Sequence, residues 1–242
     1  MISDVYPYFK RDLVEWLRGK ISVFTSLIMP ATWLVFVGLT LPASFTDRYI
    51  DFITPGVLVM TVLFSSLDGG ALLTYDKEFG LLTKFLTLPA SRESILFGKM
   101  AFITFRGLLQ STVILLLALF LGARLPGLIG LAYTYIVLAA LSLAISAMAS
   151  TMALLLEDHG GYSAFSGLVG MPLFFASTAM IPYGSMPHWL SIVASLNPVS
   201  MAIDTIRATF TGNIIFTGTI KLTILAAIIT GACIYIFRRA TL

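Results

Sequence analysis

Residues 76–99, DKEFGLLTKFLTLPASRESILFGK, separate two long apolar runs and mix charges of both signs with apolar side chains. Pro89 is expected to end a short helix here, and Ser91 follows as a capping residue where the chain turns towards the next run. The stretch therefore predicts a short amphipathic helix that lies on a membrane surface and does not cross the membrane. Its apolar residues recur about one helical turn apart, at Phe79, Leu81, Leu82, Phe85, Leu86 and Leu88.

The composition places the whole chain in a membrane. It is 58% hydrophobic and only 11% charged, whereas soluble domains carry about 25% charged residues. The net charge of +3 is dispersed, and no basic patch is interleaved with aromatic residues, which excludes a nucleic-acid partner. The single cysteine, Cys233, lies in an apolar run, so an intrachain disulfide is excluded.

Six apolar runs are each long enough to cross a hydrocarbon core, which takes about 20 helical residues. Pro30 and Pro172 are expected to kink the first and the fifth of these helices. The sequence therefore predicts an all-α membrane protein with six transmembrane helices in a single domain, residues 1–242. The predicted spans are residues 22–41, 52–75, 100–121, 128–156, 162–181 and 217–237.

Two further segments complete the predicted architecture. Residues 1–20 combine many charges with apolar residues at helical spacing, which predicts an amphipathic helix in the membrane interface. Residues 182–216 are too apolar for a free loop and too interrupted for a span. They predict two short re-entrant helices before the last span, broken at Asn197 and Pro198, and covered by protein at that depth.

The basic residues predict the orientation. With the N-terminus in the cytosol, most Lys and Arg residues fall on the cytosolic side, which follows the positive-inside rule. Both termini and residues 76–99 are therefore expected in the cytosol. The opposite side then holds only Arg48, Arg124, Arg207 and Lys221, and Arg106 is left inside the third run.

Two ionisable residues lie well inside predicted spans, Asp68 in the second and Arg106 in the third. Both are expected roughly 10 Å from the cytosolic interface at 1.5 Å per helical residue, so they can face each other. An intramembrane charge suggests function, and an ion-coupled secondary transporter would use this pair as its coupling site. A structural pair that only joins two helices is the simpler alternative.

Other sites are less well supported by the sequence. His159 follows Glu157 and Asp158, but adjacent loop residues do not readily converge on one metal ion, so a solvated turn is favoured. An intramembrane serine protease would use Ser163, yet both histidines lie outside the spans and neither is placed to act as its base. No GxxxxGK[ST] motif is present, so ATP chemistry has to come from a partner.

The pattern resembles the ABC-2 type transporter permeases, the membrane subunits of one class of ATP-driven exporters. Residues 78–80 (EFG) with Leu86 and residues 89–92 (PASR) are similar to that family's acidic-glycine and proline-serine-arginine loop. Residues 95–99 (ILFGK) resemble its entry to the third span. Residues 186–208, MPHWLSIVASLNPVSMAIDTIRA, resemble its C-terminal signature, with Asn197, Pro198, Asp204 and Arg207 at the matching positions.

The resemblance implies a homodimeric permease that pairs with two copies of an ABC ATPase subunit in a prokaryotic plasma membrane. ATP and Mg would bind the partner, and this chain would carry no cofactor, metal or catalytic residue. The exported substrate would be hydrophobic or amphipathic, such as a drug, a lipid or a lipid-linked glycan. Residues 76–99 would hold the coupling helix, with ATPase contacts at Lys77, Glu78, Gly80, Lys84 and Arg92.

The resemblance also suggests roles deeper in the membrane. Asp204 and Arg207 stand three residues apart and can form an intrahelical pair, which favours a brace in the outer helices over a substrate site. The transport pathway would be lined by the first, second and fifth spans of both copies. The polar or aromatic residues available there are Thr32, Trp33, Ser65, Ser66, Ser177 and Thr178.

Overall fold

The computed structural model describes residues 2–40, 48–87, 91–156 and 158–240. Within these ranges the chain is helical and contains no strand, which confirms the predicted all-α class. A short 3-10 turn, Tyr183–Ser185, precedes the outer helices. The helices in order are α1 (Ile2–Arg18), α2 (Lys20–Thr40, with a π-helical stretch at Trp33–Val37), α3 (Tyr49–Glu78), α4 (Leu81–Leu86), α5 (Arg92–Phe120), α6 (Leu128–Leu155), α7 (His159–Phe175), α8 (His188–Leu196), α9 (Pro198–Phe210) and α10 (Phe216–Ala240).

Helix α3 forms the centre of the bundle and packs against α5, α6, α7 and α9. In its most apolar stretch 83% of the residues are buried, against 17% for α2 and 22% for α10. A helix that is apolar all round is buried by other helices or faces lipid. Helices α2 and α10 therefore form the periphery of the bundle, where their exposed apolar side chains suit a hydrocarbon environment.

Among the residues that the structure describes, five helices are long and apolar enough to cross a membrane, namely α2, α3, α5, α6 and α10. The predicted fifth span, residues 162–181, is a shorter helix than expected: α7 has 17 residues and ends at Phe175, at the lower limit of about 17 for a span. Helix α7 ends at Phe175 because side chains form hydrogen bonds with the carbonyls of its last turn and of the residue that follows it. Ser177 donates to the carbonyl of Phe174, and the Asn197 amide donates to the carbonyls of Leu173 and Ala176.

The outer segment contains the two short helices that the sequence predicts. Helices α8 and α9 meet at an angle of 84°, and together they amount to a sixth candidate span if they are counted as one broken span. Asn197 stands at the break, and Pro198 is the first residue of α9. The N–H of the first residue of a helix has no acceptor within the helix, so a proline, which has no N–H, loses no hydrogen bond at this position.

The surface stretch, residues 76–99, is divided among three helices. Its first three residues complete α3, its middle forms α4, and its last eight belong to α5. Helical hydrogen bonding continues past the end of the apolar runs, so α3 and α5 extend beyond the spans predicted from hydropathy. Leu88, Pro89 and Ala90 lie outside the described residues.

Candidate functional site

One end of the bundle carries α1 and α4, and we call it the α1 face. Helix α3 ends there in a tight turn at Gly80, whose φ is +67°, a conformation that side chains with a Cβ rarely adopt. The amide of Phe79 bonds to the carbonyl of Tyr75 at 2.9 Å, and the amide of Gly80 bonds to that of Lys77 at 3.1 Å. The glycine therefore allows α4 to start immediately after α3.

Helix α4 rests on α1 through aromatic contacts. The rings of Tyr8 and Phe85 meet edge to face with centroids 5.5 Å apart. The Arg11 guanidinium lies 4.8 Å from the centroid of the same Phe85 ring, a distance at which cation–π attraction operates. Leu82 is buried beside them. The short surface helix is thus held against the N-terminal helix.

Four charged side chains meet where α1 packs on α3 and α5, three of them buried and Arg11 partly exposed, and we call Arg11, Asp12, Asp76 and Lys99 the α1 charge cluster. Asp76 and Lys99 approach to 2.5 Å, and Lys99 lies 3.5 Å from Asp12. Arg11 donates to both oxygens of Asp76 at 3.0 Å and to Asp12 at 2.8 Å. The cluster has no net charge, which satisfies the requirement that buried charges be paired.

The cluster stabilises the charged form of Arg11. Burial lowers the pKa of its guanidinium, but the carboxylates of Asp12 and Asp76 outweigh that effect, and the pKa is raised above its ordinary value. The sequence analysis missed this cluster and treated its members as separate interfacial charges. One signal was available: Asp12 lies midway between Tyr8 and Trp16 at four-residue spacing, so it is a charge on the apolar face of α1.

Helix α1 also packs closely on α5 at Gly98. A Cβ at this glycine would lie 2.6 Å from the Tyr8 Cβ and 3.0 Å from the carbonyl oxygen of Val5. Further along the contact, the rings of Trp16 and Phe102 lie 6.3 Å apart. The small residue at position 98 therefore sets the distance between the two helices.

Replacing Gly98 with alanine is expected to push α1 off α5 and to cost about 1–3 kcal/mol, as overpacking does. Gly107→Ala in the same helix is the matched control, because its Cβ would meet only ordinary contacts of 3.7–3.8 Å. Thermal unfolding in detergent checks the difference. Equal unfolding temperatures for the two variants would contradict the packing argument.

Two of the predicted ATPase contacts bond to the connection between α6 and α7. Lys77 donates to the carbonyls of Leu154 and Leu156 at 3.0 and 2.8 Å, which satisfies the C-terminus of α6. Glu78 accepts a hydrogen bond from the amide of His159 at 2.5 Å, at the N-terminus of α7, where a carboxylate is favoured. The turn after α3 is therefore joined to a second part of the bundle.

The other predicted contacts are placed differently. Lys84 is exposed on α4, and Gly80 supplies the turn rather than a side chain. Arg92 begins α5, and its side chain lies outside the described residues. Phe79, which the sequence analysis counted among the apolar positions of the helix, is 71% exposed at the tip of the turn. Its ring stacks on that of Tyr75 with centroids 6.3 Å apart.

His159 packs against the bundle and does not form the solvated turn that the sequence predicts. Its ring stacks on Tyr75 with centroids 4.3 Å apart, and its Nε2 lies 3.0 Å from the Tyr75 hydroxyl. Asp158 accepts from the amide of Gly161 at 2.6 Å and caps α7. Glu157 lies outside the described residues. Among those that are described, no group of His, Cys, Asp or Glu side chains could hold a metal ion.

Asp68 and Arg106 do face each other, but they are bound unequally. Their closest atoms are 3.8 Å apart, and the Asp68 side chain is 73% exposed while that of Arg106 is 7% exposed. Arg106 is held instead by Ser65, with bonds of 3.1 Å to its hydroxyl and 2.7 Å to its carbonyl. Both residues line a cavity of about 240 Å³ between α2, α3, α5 and α7.

Only Ser65 among the predicted pathway residues lines that cavity. Ser66 bonds to the hydroxyl of Ser142 at 3.0 Å in the core. Ser177 and Thr178 bond within the bundle, and Trp33 packs on Phe174 with ring centroids 6.1 Å apart. Exposed polar residues of an apolar run are hard to distinguish from helix-packing residues by sequence, because both interrupt the run in the same way.

The outer signature residues form a bonded network at the opposite end of the bundle. Asp204 and Arg207 pair at 3.4 Å, in the intrahelical geometry that the sequence predicts. Thr178 donates to Asp204 at 2.7 Å, and Arg207 donates to the carbonyl of Thr178 at 2.8 Å. The Arg207 guanidinium also lies 3.9 Å from the centroid of the Phe52 ring. These contacts join α9 to α3 and to the end of α7.

Comparisons with known proteins agree with this architecture. Residues 5–211 match the family model described as ABC-2 type transporter. The chain is 33% identical over 213 residues to ycf38 of Cyanophora paradoxa, a protein named as a transport permease, with 85% of this chain and 73% of that protein covered. It is 24% identical over 210 residues to the daunorubicin resistance ABC transporter permease protein DrrB1 of Streptomyces coeruleorubidus, with 85% and 74% covered. The chain therefore belongs to the ABC-2 type transporter family, as a permease.

Proposed function

We propose that this permease exports a hydrophobic or amphipathic compound, such as a drug, a lipid or a lipid-linked glycan, from the cytosol across a prokaryotic plasma membrane. ATP and Mg bind a separate ABC ATPase, and this chain performs no hydrolysis itself. Two copies of the permease pair with two ATPase subunits. Both termini and the α1 face lie in the cytosol, as the distribution of Lys and Arg favours.

The observation that carries the proposal is the set of connections around the turn after α3. Helix α4 packs on α1, the α1 charge cluster joins α1 to α3 and α5, and Glu78 reaches the start of α7. A rigid-body movement applied to α4 would therefore reach four helices of the bundle at once. Such movements are how packed elements transmit a switch in one subunit to another.

The surface offered to the ATPase combines one apolar and several polar groups. Phe79 is 71% exposed at the tip of the turn, and Lys84 is exposed five residues later, on α4. An apolar anchor inside a polar rim is the usual composition of a protein interface. The turn itself is held against the bundle by the hydrogen bonds of Lys77 and Glu78 and is shaped by Gly80. Arg92 is proposed to complete the edge of the surface.

Replacing Glu78 with alanine is expected to separate ATP hydrolysis from transport. The variant loses the hydrogen bond between the Glu78 carboxylate and the His159 amide, so a movement of the turn is no longer transmitted to α7. We expect ATPase activity of the assembled complex to persist while ATP-dependent uptake into inside-out vesicles falls about tenfold, the size of a lost charge-assisted hydrogen bond. Daunorubicin and a fluorescent phosphatidylethanolamine are suitable transport probes.

Asp158→Ala is the matched control for that experiment. Asp158 also caps the N-terminus of α7, with its bond to the Gly161 amide, but it does not belong to the turn after α3. It is expected to weaken the start of α7 without separating hydrolysis from transport. Full coupling in Glu78→Ala, or equal uncoupling in both variants, would contradict the assignment of the turn.

A pull-down of the tagged chain in mild detergent tests the ATP-driven assembly directly. Mass spectrometry should find a protein with a nucleotide-binding P-loop in roughly equal amount. A folded, dimeric permease that brings down no such protein would contradict the exporter proposal. It would favour the ion-coupled secondary transporter with Asp68 as its coupling residue.

A further inference from the structure

The cavity beside Asp68 combines one exposed charge with apolar walls. Its lining includes Ser26 and Met29 from α2, Phe64 and Asp68 from α3, and Arg106 and Gln110 from α5. The Gln110 amide donates to the Ser26 hydroxyl at 2.7 Å and so joins α2 to α5 across the cavity. Most of the surface of this cavity is apolar, as in typical small-molecule sites, although eight of its twelve lining side chains carry polar groups.

Asp68 lies well inside the second span predicted from the sequence. Ten residues separate it from Glu78 at the end of α3, which is about 15 Å along the helix axis. A carboxylate at such depth is costly unless it faces water, a partner charge or a ligand. Because its side chain is 73% exposed, the neighbouring helices do not enclose it. The carboxylate therefore opens into the cavity.

Arg106 lies too far from the Asp68 carboxylate to form a hydrogen bond with it. Their 3.8 Å separation exceeds the length of about 2.7–3.2 Å for hydrogen bonds in proteins. The guanidinium is directed to Ser65, where it bonds to both the hydroxyl and the carbonyl oxygen. The hydrogen-bonding capacity of the Asp68 oxygens thus remains available to a molecule in the cavity.

A second cavity lies closer to α1. It has a volume of about 320 Å³, and its lining includes Asp12, Glu15 and Gly19 beneath the junction of α1 and α2. Arg106 lines both cavities. The two cavities thus share one lining side chain, and carboxylates line both, Asp68 in the first and Asp12 and Glu15 in the second.

From these observations we propose that the cavity at Asp68 binds amphipathic compounds that carry a protonated amine. The ammonium group donates hydrogen bonds to the Asp68 carboxylate, and the adjoining carbons lie against Met29 and Phe64. The cavity of about 240 Å³ is smaller than the roughly 300 Å³ or more of drug-sized sites, so the rest of the molecule extends along α2. This inference rests on the proposed function, because it names the class of substrate that the exporter takes.

A matched pair of probes tests the inference: a dansyl-labelled long-chain alkylamine, and the same molecule with its amine acetylated. Binding is measured by fluorescence anisotropy to the permease–ATPase complex in phosphatidylcholine nanodiscs at neutral pH without ATP. The wild type is expected to bind the amine at least about tenfold more tightly than the amide, as a charge-assisted hydrogen bond provides. Asp68→Asn is expected to abolish that preference, and Asp68→Glu to retain it.

Asp51→Asn is the control variant, because it makes the same change in the first turn of the same helix, outside this cavity. It should leave the preference intact. A wild type that binds both probes equally, or an Asp68→Asn variant that keeps the preference, would overturn the inference. Should Asp68→Asn fail to fold, a diazirine-bearing alkylamine on the wild type gives the answer: labelling of residues 60–68 and 106–110 supports the site, and labelling elsewhere overturns it.

The outcome separates this inference from the exporter proposal. ATP-dependent transport of the acetylated probe, with no preference for the amine, would leave the exporter standing and remove the Asp68 site. Binding of the amine that depends on Asp68, in a chain that brings down no ATPase, would keep the site and remove the exporter.

Discussion

Replacing Lys99 with methionine is expected to destabilise the protein by roughly 3–5 kcal/mol, the cost of removing one partner from a buried ion pair. Lys99 is 2% exposed and contacts Asp76 at 2.5 Å and Asp12 at 3.5 Å. Without it, two buried carboxylates share only Arg11. The unfolding midpoint in detergent should fall on the order of 10 °C, and α1 should become accessible to protease.

The double variant Lys99→Met with Asp76→Asn is the control for charge. It removes one positive and one negative charge, so the cluster stays neutral while its shape is nearly kept. Replacement of a buried ion pair by neutral groups is often tolerated, and the double variant should recover most of the lost stability. If both variants are equally unstable, packing and not charge balance holds α1 in place.

Asn197→Ala is expected to cost roughly 2–4 kcal/mol, because it leaves several buried polar groups without partners. The Asn197 amide donates to the carbonyls of Leu173 and Ala176 at 2.7 and 3.0 Å, and its side-chain oxygen accepts from the amide of Val199 at 2.9 Å. One buried side chain thus ends α7 and begins α9. Its loss should lower the unfolding temperature and loosen the outer helices, which hydrogen exchange of residues 188–210 measures.

Asn197→Ser separates the two functions of that side chain. A serine hydroxyl can still cap the amide of Val199, but it is too short to satisfy both α7 carbonyls. We expect a loss intermediate between those of the wild type and Asn197→Ala. A serine variant as unstable as the alanine variant would assign the whole effect to the α7 carbonyls.

Hydropathy and spacing predict most of this fold. The all-α class, the interfacial helix α1 and the outer break at Asn197 and Pro198 follow from apolar run length, helical periodicity and proline placement. The ends of the helices are less predictable. Asp76 and Lys99 belong to α3 and α5 and not to a connection, because burial of their charges under α1 lets the helices continue.

The charge cluster itself could not be derived from local pattern. Its members come from positions 11, 12, 76 and 99. A hydropathy profile does not show which charges so far apart in the sequence will form ion pairs. The approach of Asp68 and Arg106 was predictable from residue counts along α3 and α5. Their unequal exposure was not, because it depends on Ser65 holding the guanidinium of Arg106 inside the bundle.

The central position of α3 constrains the order in which the protein can be assembled. Helix α3 is the second span to leave the ribosome, and four of the helices that pack against it, α5, α6, α7 and α9, are synthesised after it. During translation its buried serines, threonines and glycines therefore face the translocon or lipid. A chain interrupted before α9 leaves this helix partly uncovered, which gives membrane quality control a recognisable sign of an unfinished permease.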